Sequence, residues 1–267
     1  MAKLSKAPVF YVVAQVVYSP ILKLDSLVPE LQDRLRKDGF PGYRALRQIG
    51  LEVHANADKP AETRVEKSET NSHVFASRDQ SESIVVTAQS VAFQTVEYDS
   101  IDAFQDKFSR AVRAVSEILA PDSFTRIGLR FLDAVVPPSP DSLDKYVRSQ
   151  FLGLQSTLSD DSETVYTFSE TQVLKQGRNI KVRVLARAAE LAYPIDLADS
   201  APPLPERFRS IFGVHALIDS DAAFGGESQI AYEFEVDAIV NKLRELKSDH
   251  KATFEAVVTP LALEEWA

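Results

Sequence analysis

Cysteine is absent from the 267 residues. The chain therefore carries no disulfide, thiolate nucleophile, cysteine-held zinc or iron–sulfur cluster. Histidine is scarce: His54, His73, His215 and His250 stand far apart, and no local spacing places two of them on one metal. No apolar run approaches the roughly 20 residues of a membrane helix. The phosphate loop G-x-x-x-x-G-K-[ST] and the patterns G-x-G-x-x-G, G-x-S-x-G and H-E-x-x-H are missing. Nucleotide-loop, dinucleotide, nucleophile-elbow and zincin chemistry lose their usual support with them. Positive charge is in deficit as well, with 30 Lys+Arg against 39 Asp+Glu and a net charge of -9. That is the wrong sign for general attraction to a phosphate backbone.

What is present is ordinary globular composition, 45% hydrophobic and 26% charged. The acidity is uneven: residues 1–137 hold 17 basic and 18 acidic side chains, residues 138–267 hold 13 and 21. Lys3 and Lys6 precede an apolar run over 7–18, but Gln15 interrupts it and no small-x-small cleavage site follows. Its Val12, Val13, Val16 and Val17 suit a buried strand, and the expected location is the cytosol, without membrane attachment.

That opening strand, 9–18, leads to a helix with Asp25 and Ser26 as caps, Leu24, Leu27, Leu31 and Leu35 on one face, Pro29 in its first turn and Gly39 as its stop. A strand over 43–53 and a polar loop over 56–72 come next. Short strands over 73–78, 83–88 and 91–98 then form a meander. Ile101, Phe104, Phe108, Ala111, Val115 and Ile118 define the strongest helix. In the strand 124–136 that follows, Ile127, Leu129 and Phe131 alternate with Arg126, Gly128 and Arg130. This order predicts an α+β protein of two fused units. The first, 1–137, is a ferredoxin-like split βαβ sheet enlarged by a hairpin, with its helices on one face.

Pro137-Pro138-Ser139-Pro140 marks the boundary. The second unit, 138–267, opens with a short helix over 142–152. Two long strands, 163–174 and 180–193, follow around a hairpin loop at 175–179, then a strand over 212–218. A long helix over 236–258 and a short terminal one from Pro260 close the chain.

The strand Arg126-Ile127-Gly128-Leu129-Arg130-Phe131, the Glu97-Tyr98 strand end, the Phe104/Phe108 helix, the Ser19-Pro20 exit and the Leu243-Leu246-His250-Phe254 helix resemble a sporadically distributed family of uncharacterised bacterial proteins. The resemblance covers most of the chain and rests on structural positions, so it carries over no catalytic residue. The patchy occurrence of that family implies accessory genes of the defence, toxin–antitoxin or immunity kind.

Three groups of residues carry candidate chemistry. Lys181, Arg183 and Arg187 share one strand face, with Lys175 and Arg178 at the hairpin tip. They form a basic stripe able to follow RNA or DNA, or simply the polar outer face of a sheet. Asp219 and Asp221, at the end of a strand, are a pair able to hold Mg²⁺ or Mn²⁺, or a solvated strand end. His250, on the helix face of Leu246 and Phe254, reads as a general base or polar switch, or as a histidine bonded to a neighbour, which burial favours. For Arg126 and Arg130 the expectation is pairing with acids on a neighbouring strand. The expected function is a non-catalytic protein-binding partner without cofactor, engaging a basic protein through the acidic second half. The alternatives are nucleic-acid binding or RNA processing by the basic hairpin, and metal-dependent phosphotransfer or nuclease chemistry at Asp219 and Asp221.

Overall fold

Val12, Ala14 and Val16 alternate along the first strand and are fully buried. The β-branched Val12 and Val16 sit where side chains pack from both neighbouring strands. The computed structural model describes residues 6–54, 64–139, 141–156, 164–226 and 230–267. The elements in chain order are β1 (Val9–Tyr18), α1 (Leu24–Lys37), β2 (Gly42–His54), β3 (Arg64–Ala76), β4 (Glu82–Thr87), β5 (Ser90–Thr95), α2 (Ile101–Ile118) and β6 (Ser123–Val135). After three short 3-10 turns come β7 (Tyr166–Lys175), β8 (Arg178–Glu190), α3 (Glu206–Arg209), β9 (Phe212–Gly225), β10 (Tyr232–Glu233), α4 (Val236–Val257) and α5 (Pro260–Glu265).

The fold is α+β. All strands of the described residues join one antiparallel sheet in the order β2-β3-β4-β5-β1-β6-β9-β8-β7, and β10 pairs with the start of β6. The sheet crosses the proline-marked boundary without a break, because Arg126–Val135 of β6 pairs residue by residue with Ala216–Gly225 of β9. The two halves read from the sequence thus meet in a single sheet.

One face is covered by helices, α1 against α2 and α2 against α4. Phe104, Phe108, Val112 and Val115 of α2 and Ile239, Leu243 and Leu246 of α4 are buried against Val12, Ile127, Leu129 and Ile218 of the sheet. Ser100 starts α2 by accepting the Ala103 N–H, which satisfies one of the unpaired donors of a helix start. A smaller apolar cluster lies on the other face, where Leu191 and Phe208 cover Phe10, Tyr11, Leu132 and Leu217.

Several expectations are corrected. The polar stretch read as a loop over 56–72 is strand from Arg64 onward, paired with β2 from Gly42↔Ala76 to His54↔Arg64. Ladder hydrogen bonds come from the backbone, so apolar alternation is not required for them. The part of that stretch before Arg64 lies outside the described residues. The helix expected over 142–152 is instead broken into 3-10 turns at Leu143–Lys145, Ser149–Phe151 and Gly153–Ser156. Helix α1 begins at Leu24, ahead of both expected caps, which leaves Pro29 inside the helix rather than in its first turn. The β7–β8 hairpin closes on two residues, Gln176 and Gly177, both with positive φ. That turn geometry matches the twist of the strands, and glycine meets it without strain.

Phe108 is fully buried between α2 and the sheet, while Leu22 is 95% exposed. Phe108→Ala is expected to lower unfolding stability by about 3–5 kcal/mol. Leu22→Ala should leave it unchanged within about 0.5 kcal/mol. Urea denaturation read by circular dichroism measures both.

Candidate functional site

Strand alternation sends Ile127, Leu129 and Phe131 of β6 towards the helices and Arg126, Gly128 and Arg130 to the opposite face. On that open face Arg130 holds Asp219 of β9 through two hydrogen bonds, Nε to Oδ1 at 2.7 Å and Nη2 to Oδ2 at 2.8 Å. It also donates to Asp196 of the 190–205 segment at 2.5 Å. Arg183 of β8 donates to Asp219 at 3.2 Å and to Glu170 of β7 at 2.6 Å. Arg126 reaches Asp221 at 3.1 Å and Gln15 at 3.4 Å. Its guanidinium lies over Gly128, where a Cβ would stand 2.6 Å from Nη1. The charged groups tie β6, β7, β8, β9 and one loop into a lattice of alternating charge, and Gln15 adds a contact from β1. Burial opposes the charge on Arg130, but the Asp219 and Asp196 carboxylates outweigh it and raise its pKa.

The structure places the two aspartates differently from the expectation. They lie within β9, which continues to Gly225, rather than at a strand end. Carboxylates are accommodated there because arginines on β6 and β8 face them. Among the described residues no group of three or more His, Asp or Glu side chains converges as a metal site would.

The five basic hairpin residues do not form one surface. Lys175 and Arg178 turn to the helix face and bond Asp249 of α4 at 2.8 and 2.5 Å. Lys181, Arg183 and Arg187 lie on the open face, where Lys181 is in register with Asp221 and Arg187 with His215. Arg187 donates to the Glu190 carbonyl at 3.2 Å. A phosphate backbone would have to displace the carboxylates of Asp249, Asp219 and Glu170 to reach Lys175, Arg178 and Arg183.

His250 is 5% exposed and stacks on Phe131, with centroids 3.8 Å apart at 14°. Its Nδ1 meets the Ser220 hydroxyl. Burial holds the imidazole well below its ordinary pKa, and Lys247 acts the same way. The ring is a neutral, fixed wall. It borders a cavity of about 450 Å³ that also reaches Tyr98, Asp133, Lys247 and Phe254. Asp133 and Lys247 were not singled out from the sequence. A signal existed for the first: the apolar series Ile127, Leu129, Phe131 continues to position 133, which puts an acid on the helix-covered face. Burial pushes the Asp133 carboxyl far up, with Lys247 opposing, and pushes the Lys247 amine down, with Asp133 opposing.

At the end of the sheet, β7 pairs with β8 alone among the described residues. Tyr166, Phe168, Val173 and Leu174 on it are exposed at 66%, 56%, 48% and 66%. No helix of the described residues is long and apolar enough to cross a membrane. Comparison of the chain with protein-family models, curated proteins and solved structures returns no match.

The lattice separates two similar aspartates. Asp219→Ala leaves Arg130, at 11% exposure, without its bidentate partner and is expected to cost about 3–5 kcal/mol. Asp221→Ala opens a pair that is about a third exposed and should cost under about 1 kcal/mol. Chemical denaturation of both variants checks the contrast. A pH dependence follows from Asp249. Burial acts to raise its pKa, but Arg178 and Lys175 outweigh this and hold it below the ordinary carboxylate value. Its contribution to stability is present above that ordinary value and is lost as pH falls through the lower, folded-state one. Asp249→Asn should therefore flatten the acid limb of a urea-midpoint titration, and an unchanged limb would refute the assignment.

Proposed function

We propose that this chain is a non-catalytic protein-binding partner that takes up an extended, basic segment of another protein along β7 and acts by occluding it. The observation that carries the reading is the outer edge of β7, which no other strand of the described residues pairs with. It is a ten-residue terminal strand without proline, exposed on both faces and rich in large apolar side chains. A strand of that kind offers a row of unpaired backbone groups to a partner strand, and flanking side chains select the sequence. The concentration of acidic residues in 138–267 favours a cationic partner, whose approach it would speed.

The resemblance to a sporadically distributed bacterial family supports a cytosolic role in a defence, toxin–antitoxin or immunity locus. A ferredoxin-like reading of the first half is supported by the order β4-β5-β1-β6 with α1 and α2 as the connecting helices. The ion lattice favours protein binding over the nucleic-acid and metal-enzyme alternatives, because it already occupies the arginines and aspartates those alternatives need.

The test is affinity purification of the tagged chain from its native host, with protein mass spectrometry and nucleic-acid absorbance on the same eluate. A stoichiometric basic protein is expected, free of nucleic acid. Phe168→Asp with Leu174→Asp should reduce its capture by about tenfold or more, the loss of ~1.4 kcal/mol. Leu22→Asp, at an exposed position away from β7, should not. Folded protein that captures nothing, or a partner held equally by all variants, refutes the reading. RNA or DNA that dissociates at high salt would promote the basic hairpin instead.

A further inference from the structure

Three buried aspartates hold opposite fates in this fold. Asp219 meets two arginines, and Asp249 meets Arg178 and Lys175. Asp133 is equally buried, 3% exposed, yet its Oδ2 has no hydrogen-bond partner. A buried polar atom left unpaired costs roughly 1–3 kcal/mol, so the exception calls for a physical reason.

Asp133 borders the 450 Å³ cavity between β6 and the middle of α4. Lys247 borders it from α4, with Nζ resting over the Phe131 ring at 4.1 Å and the Tyr98 ring at 5.3 Å. Around them the walls combine these two rings and those of His250 and Phe254 with aliphatic Val9, Ile101 and Leu263, and Asp99 stands just before α2. His250 stacks on Phe131 and is held in place by Ser220, and Phe254 lies 6.2 Å from His250. Beside Asp133 the β1–β6 register shifts, Val9 facing Asp133 and Tyr11 facing Leu132. Such a bulge locally releases the ladder and re-aims side chains, often next to a site.

We propose that this cavity binds a small, neutral, planar molecule of the lactam or carboxamide class, with Asp133 accepting its N–H and Lys247 donating to its carbonyl oxygen. The chemistry follows from the walls. One buried acid and one half-buried base ask for a donor beside an acceptor. Flat rings ask for a flat body. Asp133 and the half-buried Lys247 supply one acceptor and one donor against the rings, which a neutral donor–acceptor ligand matches, while Asp99 and the Lys251–Glu255 pair at 3.9 Å make up the remaining charged lining. The volume lies within the range of roughly 300–1,000 Å³ usual for small-molecule sites. The site stands on elements other than β7, so it holds or fails independently of the protein-binding reading.

Saturation-transfer NMR with 2-pyridone and with nicotinamide as probes tests it. At least one probe should give saturable transfer from the intact chain. That transfer should vanish in Lys247→Met and in Asp133→Leu and persist in Lys181→Ala. A second readout needs no ligand. If Asp133 is kept for binding, Asp133→Leu removes an unpaired buried group and raises the thermal midpoint. A lowered midpoint would show that the carboxyl is structural and would overturn the proposal. Failure of both probes to bind, or binding that survives Lys247→Met, would overturn it as well.

Discussion

The ten antiparallel pairs between β6 and β9 are the constraint on which the other contacts between the two halves of the chain depend. Side chains alternate along a strand, so the register decides which face each residue takes. In this register Ile127, Leu129 and Phe131 enter the helix-covered core together with Ile218 and Ala222, while Arg126 and Arg130 stand over Asp221 and Asp219. Slipping one strand by a single residue would put arginines among the apolar side chains of α2 and α4. The ion pairs and the core thus specify the same alignment from opposite faces. Burial of the Arg130–Asp219 pair makes a mismatch expensive, since each charge depends on the other for solvation.

The same register creates the cavity under α4. Phe131 and Ser220 are partners across β6 and β9, and His250 bonds one while stacking on the other. His250 is thereby fixed, and with it the turn of α4 that carries Lys247. Asp133, two residues along β6, lies beneath that turn because strand alternation leaves it no other face. The acid–base pair in the cavity is a consequence of the alignment that builds the core.

Much of this was legible in the sequence. The apolar faces of α2 and α4 and the alternation of β1 and β6 follow from periods of 3.6 and 2 that burial enforces. The pairing of Arg126 and Arg130 with acids on a neighbouring strand was readable as chemistry, but not which acids, because register is a long-range property. The polar half of β3 was illegible for another reason: its ladder is backbone against backbone, and side-chain pattern does not report it. Asp219 and Asp221 misled by looking like a strand end, since the arginines that let the strand continue are distant in the chain. The basic hairpin misled likewise. Asp249, which turns Lys175 and Arg178 to the helix side, lies about 70 residues away. Lys247 offered no local signal, standing beside Leu246 on a helix otherwise read for its apolar stripe.

The availability of β7 follows from where the helix layer ends. Helix α4 packs on β9 and β6 and reaches β8, and α2 lies on its far side, so the layer meets the last strand only at the margin of α4 and at the 3-10 turn Gly153–Ser156. On the opposite face the 190–211 segment turns back over β1 and β6 rather than over β7. The strand is therefore flanked by β8 on one edge and only partly covered on its helix-side face, where Lys175 reaches Asp249 of α4, and it carries exposed Tyr166, Phe168 and Leu174 on one side and Val173 on the other. A strand that only closed a sheet would be served by charge or proline at these positions. Apolar side chains there keep an unsatisfied surface beside an unsatisfied backbone, and a second strand satisfies both at once.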